Sequence, residues 1–204
     1  MEPEATKYQS VDKPSEEVLF KERKSKFYGY TFPIDSEEAV KPILEELRKR
    51  HPSANHVCYA WQLGVSDIRY RANDDGEPNN SAGMPIYGQI QSFDVTNILV
   101  AVVRIFGGTK LGVGGLISAY RETAKMALEN SLIMEKVLTQ QLILVFEYSE
   151  MDSVMRFIKK HQLDIVDQKL HLDCEVVLKV QKDMVPDILK QLKAFHKISI
   201  KIPE

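Results

Sequence analysis

Val95-Thr-Asn-Ile-Leu-Val-Ala-Val-Val-Arg-Ile-Phe-Gly-Gly-Thr-Lys-Leu-Gly-Val-Gly-Gly115 begins as an apolar, β-branched run and ends as a glycine-rich turn. The run Val95–Phe106 holds no charge before Arg104. Such a run suits a central strand covered on both faces. Behind the glycines, Leu116, Tyr120, Ala124, Ala127 and Leu128 return at helical spacing, while Arg121, Lys125 and Glu129 form an outward stripe. Strand, glycine turn and helix in that order make a candidate binding loop. Glycine lets the backbone approach a partner closely, and the free N–H groups of a first helical turn favour anions.

Outward from this stretch the pattern divides in two. All ten glycines lie between Gly29 and Gly115, five of them in the quoted segment, and none follows. Upstream, residues 1–16 are polar and read as a lead-in segment, partly disordered or a first turn. Phe27, Tyr28, Tyr30 and Phe32 mark a strand ending at Pro33. Asp35 or Ser36 is the expected cap of a helix whose apolar face is Val40, Ile43, Leu44 and Leu47. His56–Leu63 and Ile68–Ala72 read as a hairpin, and Asn73–Gly83 as a loop opening a short helix to Ser92. Downstream, the order is strand, helix, strand, strand, helix, strand, with strict alternation over Leu172–Val180 and Pro186 in the first turn of the last helix. The expected class is α+β with two domains, 17–134 and 135–204, the second a ferredoxin-like βαββαβ unit.

Composition narrows the function classes. The chain has 204 residues and a formal charge of −2, against a strongly basic nucleic-acid binder. Lys21, Arg23, Lys24 and Lys26 form one local basic cluster and Arg48, Lys49 and Arg50 another, read first as solvated faces. The longest apolar run, Ile98–Val103, is far short of the roughly 20 residues that span a bilayer. No membrane association is expected. The first residues lack the pattern of a signal peptide, so a cytoplasmic location is expected. Two cysteines, Cys58 and Cys174, are too few for a disulfide framework.

Familiar chemistries fail on spacing. Counting from Gly107, Val113 and Gly114 stand where a P-loop requires Lys and Ser/Thr. Ile117 takes the place of the third glycine of a dinucleotide fingerprint. The acidic loop Asp74-Asp75-Gly76-Glu77 lacks EF-hand spacing. A turn capped by Asp and Asn side chains explains it better than Mg²⁺ held with substrate phosphates. His56 and Cys58 lie two apart on a strand, with no evident third group to orient the histidine. No catalytic residue, metal or cofactor is therefore assigned.

Two motifs carry a resemblance. Asn73-Asp-Asp-Gly-Glu-Pro-Asn-Asn-Ser-Ala-Gly-Met-Pro85 resembles D-D-G-E-P-x-x-x-A-G-x-P of the IMPACT/YigZ family. Val102-Val-Arg-Ile-Phe-Gly-Gly-Thr-Lys-Leu-Gly-Val-Gly-Gly-Leu-Ile-Ser-Ala-Tyr120 resembles that family's V-V-R-Y-F-G-G-x-x-L-G-x-G-G-L-x-x-A-Y. Ile105 departs from the usual tyrosine, removing a hydroxyl from that loop. The resemblance implies an N-terminal two-layer α/β domain of ribosomal-protein type and a C-terminal domain like the last domain of elongation factor G. It also implies a link to translation, since eukaryotic relatives act in translational control through regulatory proteins. The expected ligand-binding set is Asp74, Asp75, Glu77, Arg104, Gly107, Gly108, Lys110, Gly112, Gly114 and Gly115. The expected partner is RNA, the ribosome or a regulatory protein. The alternative is an enzyme holding a small phosphorylated ligand or nucleotide on residues 104–115.

Overall fold

The computed structural model describes residues 6–195 and 197–203. The chain divides into two compact units, Met1–Lys136 and Val137–Glu204.

The first unit is built around β6 (Ile98–Ile105), the middle strand of a five-stranded sheet. Its neighbours are β3 (Ser25–Pro33) and β4 (His56–Leu63), and the edges are β2 (Val18–Glu22) and β5 (Arg69–Asn73). All four pairings are antiparallel. Period-two alternation splits β6 between two cores. Ile98, Val100 and Val102 pack with α2 (Gly83–Ser92) and α3 (Gly112–Glu129) through Ile86, Ile90, Leu116, Tyr120, Ala124 and Leu128. Leu99, Ala101 and Val103 face the other way, toward Val40, Ile43, Leu44 and Leu47 of α1 (Val40–Arg50). The α+β expectation holds, and α1 extends the expected two layers by a third because β6 is apolar on both faces. Gly29 allows the close approach of α3 to β3: a Cβ there would lie 2.9 Å from Thr123.

Several local expectations are corrected. The lead-in contains a strand, β1 (Lys7–Val11), paired with β7 (Ile133–Val137) in a small second sheet. Neither β1, β2 nor β7 was expected. The α1 helix starts at Val40 and not behind Asp35 or Ser36, with no side-chain cap. Pro42 explains this: it has no N–H to give an earlier turn, and a proline is tolerated only in the first turn. Helix α3 starts at Gly112, one turn before Leu116, so Gly112, Gly114 and Gly115 belong to a helix and not to a loop.

The second unit is a four-stranded antiparallel sheet in the order β11-β8-β10-β9. Its strands are β8 (Thr139–Glu147), β9 (Asp164–Lys169), β10 (Asp173–Gln181) and β11 (Ile198–Lys201). Helices α4 (Met151–Lys160) and α5 (Val185–Leu192) cover one face, which holds Leu142, Leu144, Phe146, Cys174, Val176, Leu178 and Val180. Helix follows β8 and β10, and the order is that of the ferredoxin-like fold. Cys174 is one of its small buried hydrophobes, as its alternation predicted. Among the described residues no helix is long and apolar enough to cross a membrane.

Candidate functional site

The end of β6 is where the two motifs meet. Arg104 pairs in register with Phe27 of β3 on one side and His56 of β4 on the other, so all three share the α2/α3 face. That face is closed by α3, and Arg104 is only 5% exposed. A buried guanidinium requires a partner. Glu77 supplies it: its Oε1 accepts from Arg104 Nη1 at 2.6 Å and from the Tyr120 hydroxyl at 2.8 Å. The Arg104 guanidinium carbon also lies 5.5 Å from the ring centroids of both Phe27 and Phe106, within cation–π reach. Arg104 Nε is buried and has no hydrogen-bond partner.

The rest of the acidic loop is spent on the fold. Asp74 Oδ1 accepts the backbone N–H groups of Ala82 and Gly83, and Oδ2 that of Asn80, so a carboxylate eight residues upstream caps α2. Asp75 accepts from Arg48 Nη2 on both oxygens at 2.8 Å and from the Val57 N–H. One member of the second basic cluster, itself exposed, is thus tied to the acidic loop. The turn itself needs left-handed backbone at Asp75 and Gly76, with φ of 43° and 87°. Glu77 alone of the three acidic residues points to Arg104.

The glycines divide by role. A Cβ on Gly107 would lie 2.0 Å from the Lys24 carbonyl carbon, so this glycine lets the loop press against the β2–β3 hairpin turn. The Gly107 N–H also donates to the buried Ser25 hydroxyl. Gly108 and Gly112 have positive φ, 86° and 72°, with open space around them. A Cβ on Gly115 would meet Leu111 at 3.1 Å, while Gly114 is open. The α3 N-terminus has no side-chain cap and no acidic residue in its first turn.

Between these parts lies a cavity of about 460 Å³, lined by Asn55, His56, Glu77, Pro78, Arg104, Phe106, Lys110, Leu111, Gly112, Val113 and Leu116. Of the expected ligand-binding set, the structure brings Glu77, Arg104, Lys110 and Gly112 to it. Asp74, Asp75, Gly107, Gly108, Gly114 and Gly115 do not line it. Ile105 does not line it either, because it alternates onto the α1 face. A hydroxyl missing there leaves the cavity wall unchanged.

Sequence reading missed His56, Phe106, Tyr120 and Asn55. His56 Nδ1 donates to the Asp75 carbonyl at 2.8 Å, and its Nε2 stands 3.9 Å from Glu77. Asn55 Oδ1 accepts the Phe106 N–H at 2.8 Å and fixes the strand end. Tyr120 lay inside the quoted motif, but its spacing from Glu77 gives no local signal. His56 and Cys58 do not form a nucleophilic pair. Cys58 Sγ lies 3.0 Å from Asp74 O, which accepts its S–H, and 3.3 Å from the Tyr120 hydroxyl, and burial pushes its thiol well above the ordinary range. Tyr120 is likewise raised by burial, then by Cys58 and Glu77. Among the described residues, no three His, Cys, Asp or Glu are grouped to hold a metal.

Residues 23–128 match the Impact N-terminal domain, which contains both motifs and the whole cavity lining. The chain is 35% identical to IMPACT family member YigZ of Escherichia coli, over 65% of this chain and 66% of the relative, a little under two thirds of its length. It is 28% identical to an IMPACT family member of Haemophilus influenzae over 88% of this chain and 89% of that one. A crystal structure described as that of a hypothetical protein aligns with a TM-score of 0.74 and 26% identity, over 98% of both chains. A domain match over more than half of the chain, with its signature residues at the ends of β6 and α3, makes this chain a member of the IMPACT family.

Proposed function

We propose that the chain is a non-enzymatic binding protein linked to translation, which contacts ribosomal RNA or a ribosome-bound partner through the start of α3 and the basic residues around it. Family membership supports the link to translation, since the resemblance implies translational control for eukaryotic relatives. One observation supports the contact surface. The uncapped start of α3, Arg104 and exposed Lys110 converge on one cavity, and the Arg23–Lys24 hairpin turn packs its backbone against Gly107 beside it. Cations and helix N–H groups in this arrangement suit phosphate backbones. The buried groups serve geometry: Glu77, Arg104 and Tyr120 are bonded to each other, and the Cys58 thiol is held protonated by burial.

The test is co-sedimentation with ribosomes and separated subunits across a salt series. The variant is Lys24→Ala/Lys110→Ala, since both side chains are exposed and Arg104 holds a buried ion pair. Salt-sensitive association that weakens in the double variant is expected, with a smaller salt slope. No association at low salt would contradict the reading and favour a small phosphorylated ligand. Association that ignores both salt and the variant would move the contact to another surface, with a protein partner the first candidate.

A further inference from the structure

We infer that the cavity at the start of α3 is a site for a terminal phosphate monoester carrying a planar group: a free mononucleotide, or the phosphorylated end of an RNA strand. The inference deepens the reading above and rests on it for the RNA source.

Two independent observations point to an anion. The first turn of the 18-residue α3 presents Gly112 and Val113 at the cavity with no acidic residue and no side-chain cap. Arg104, lining the same cavity, keeps Nε buried without an acceptor while Nη1 is taken by Glu77. Glu77 and the rings of Phe27 and Phe106 hold this guanidinium in place, a fixed positive charge in the cavity wall with one donor unmatched within the protein. The charged lining is one carboxylate, Glu77, against two cations, Arg104 and Lys110. Glu77 is already matched by Arg104 at 2.6 Å, so Lys110 and the helix start supply the surplus positive potential.

The remaining wall sets the rest of the ligand. Phe106, Leu111, Val113 and Leu116 make it apolar, and Phe106, 42% exposed, adds an aromatic surface on which a planar group can stack. A volume of about 460 Å³ is in the range of small-molecule pockets, larger than a lone phosphate requires. Phosphate at the helix start and a base against Phe106 use both halves.

The experiment is calorimetric titration of the full chain with AMP, adenosine and inorganic phosphate. It adds a short RNA bearing either a 5′-phosphate or a 5′-hydroxyl. The variant is Val113→Asp. Val113 is exposed in the first turn of α3, where a carboxylate stabilises a helix while occupying the anion position. The wild type should bind AMP saturably and at least about tenfold more tightly than adenosine, the loss expected for one charge-assisted contact. Folded Val113→Asp should lose that preference with an unchanged or raised Tm. Equal binding of AMP and adenosine, or an AMP preference retained in Val113→Asp, would overturn the site. Preference for the 5′-phosphorylated RNA assigns the RNA source, and AMP preference without it assigns the free nucleotide. Ribosome association that persists when AMP and adenosine bind alike would overturn this site and leave the proposed function standing. The reverse result would overturn that function and leave the site.

Discussion

In the first unit both faces of the sheet are covered, and Arg104, Glu77, Gln62, Ser81 and other polar residues are buried inside it. In the second unit the helices cover one face, and every buried residue described is apolar. The glycines follow the same division, since Val137–Glu204 contains none. A buried ion pair is a poor way to gain stability, because desolvation offsets most of the attraction. What it can do is fix donors in place. The first unit therefore adds a buried ion pair to its apolar cores, whereas the buried residues of the second are apolar alone.

Substitutions can break this comparison. The largest effect is expected for Glu77→Ala, which leaves the largely buried Arg104 charge without its partner: about 3–5 kcal/mol of lost stability by chemical denaturation. A loss below about 1 kcal/mol would mean that the pair is open to water. Leu178→Ala, in the fully buried core of the second unit, should cost about 2–5 kcal/mol by the same assay. It should leave AMP titration and ribosome association unchanged. Altered binding in that variant would contradict the division of labour. Asp74→Ala removes the acceptor of three backbone N–H groups at α2, and about 1–2 kcal/mol is expected, with hydrogen exchange quickened at Ala82 and Gly83.

The smallest effect concerns the opposite face of the first sheet. There His51 joins the Tyr30 hydroxyl, which also bonds Glu17. Burial, only partly offset by Glu17, lowers the His51 pKa below its ordinary value of 6.5. The folded state thus favours the neutral ring. Stability contributed this way is present above pH 6.5 and declines as pH falls toward the folded pKa. Thermal unfolding between pH 7.5 and 5.5 should show a shallow decline that flattens in His51→Gln. An identical slope in the variant would assign the decline to another group.

How much of this was legible follows from the range of each interaction. The β6 run, the α3 stripe and the alternation of β10 are local periodicities, and they located the sheet centre and the second unit. The β1–β7 pair was not legible: Lys7 and Glu135 meet across 128 positions, and Lys-Tyr-Gln-Ser-Val has no apolar rhythm. The early start of α3 was hidden by propensity, since glycine is a poor helix former even where the first turn tolerates it. Within the site, the motif spacing flagged Glu77 and Arg104 but not their bond, which closes over 27 positions. That the acidic loop is a turn capped by Asn73 and Asp74 side chains is legible in its composition; that Asp74 caps α2 and Asp75 clamps Arg48 is not, and so both carboxylates also stand in the expected ligand set.

The most direct test is ¹⁵N-resolved NMR of the full chain during titration with AMP, following the amides of Gly112, Val113, Gly114 and Gly115. The account predicts the largest shifts at these N–H groups and at the Arg104 Nε–H, with the second unit unmoved. Shifts spread over both units, or confined to the exposed lysines with the α3 start unchanged, would contradict it.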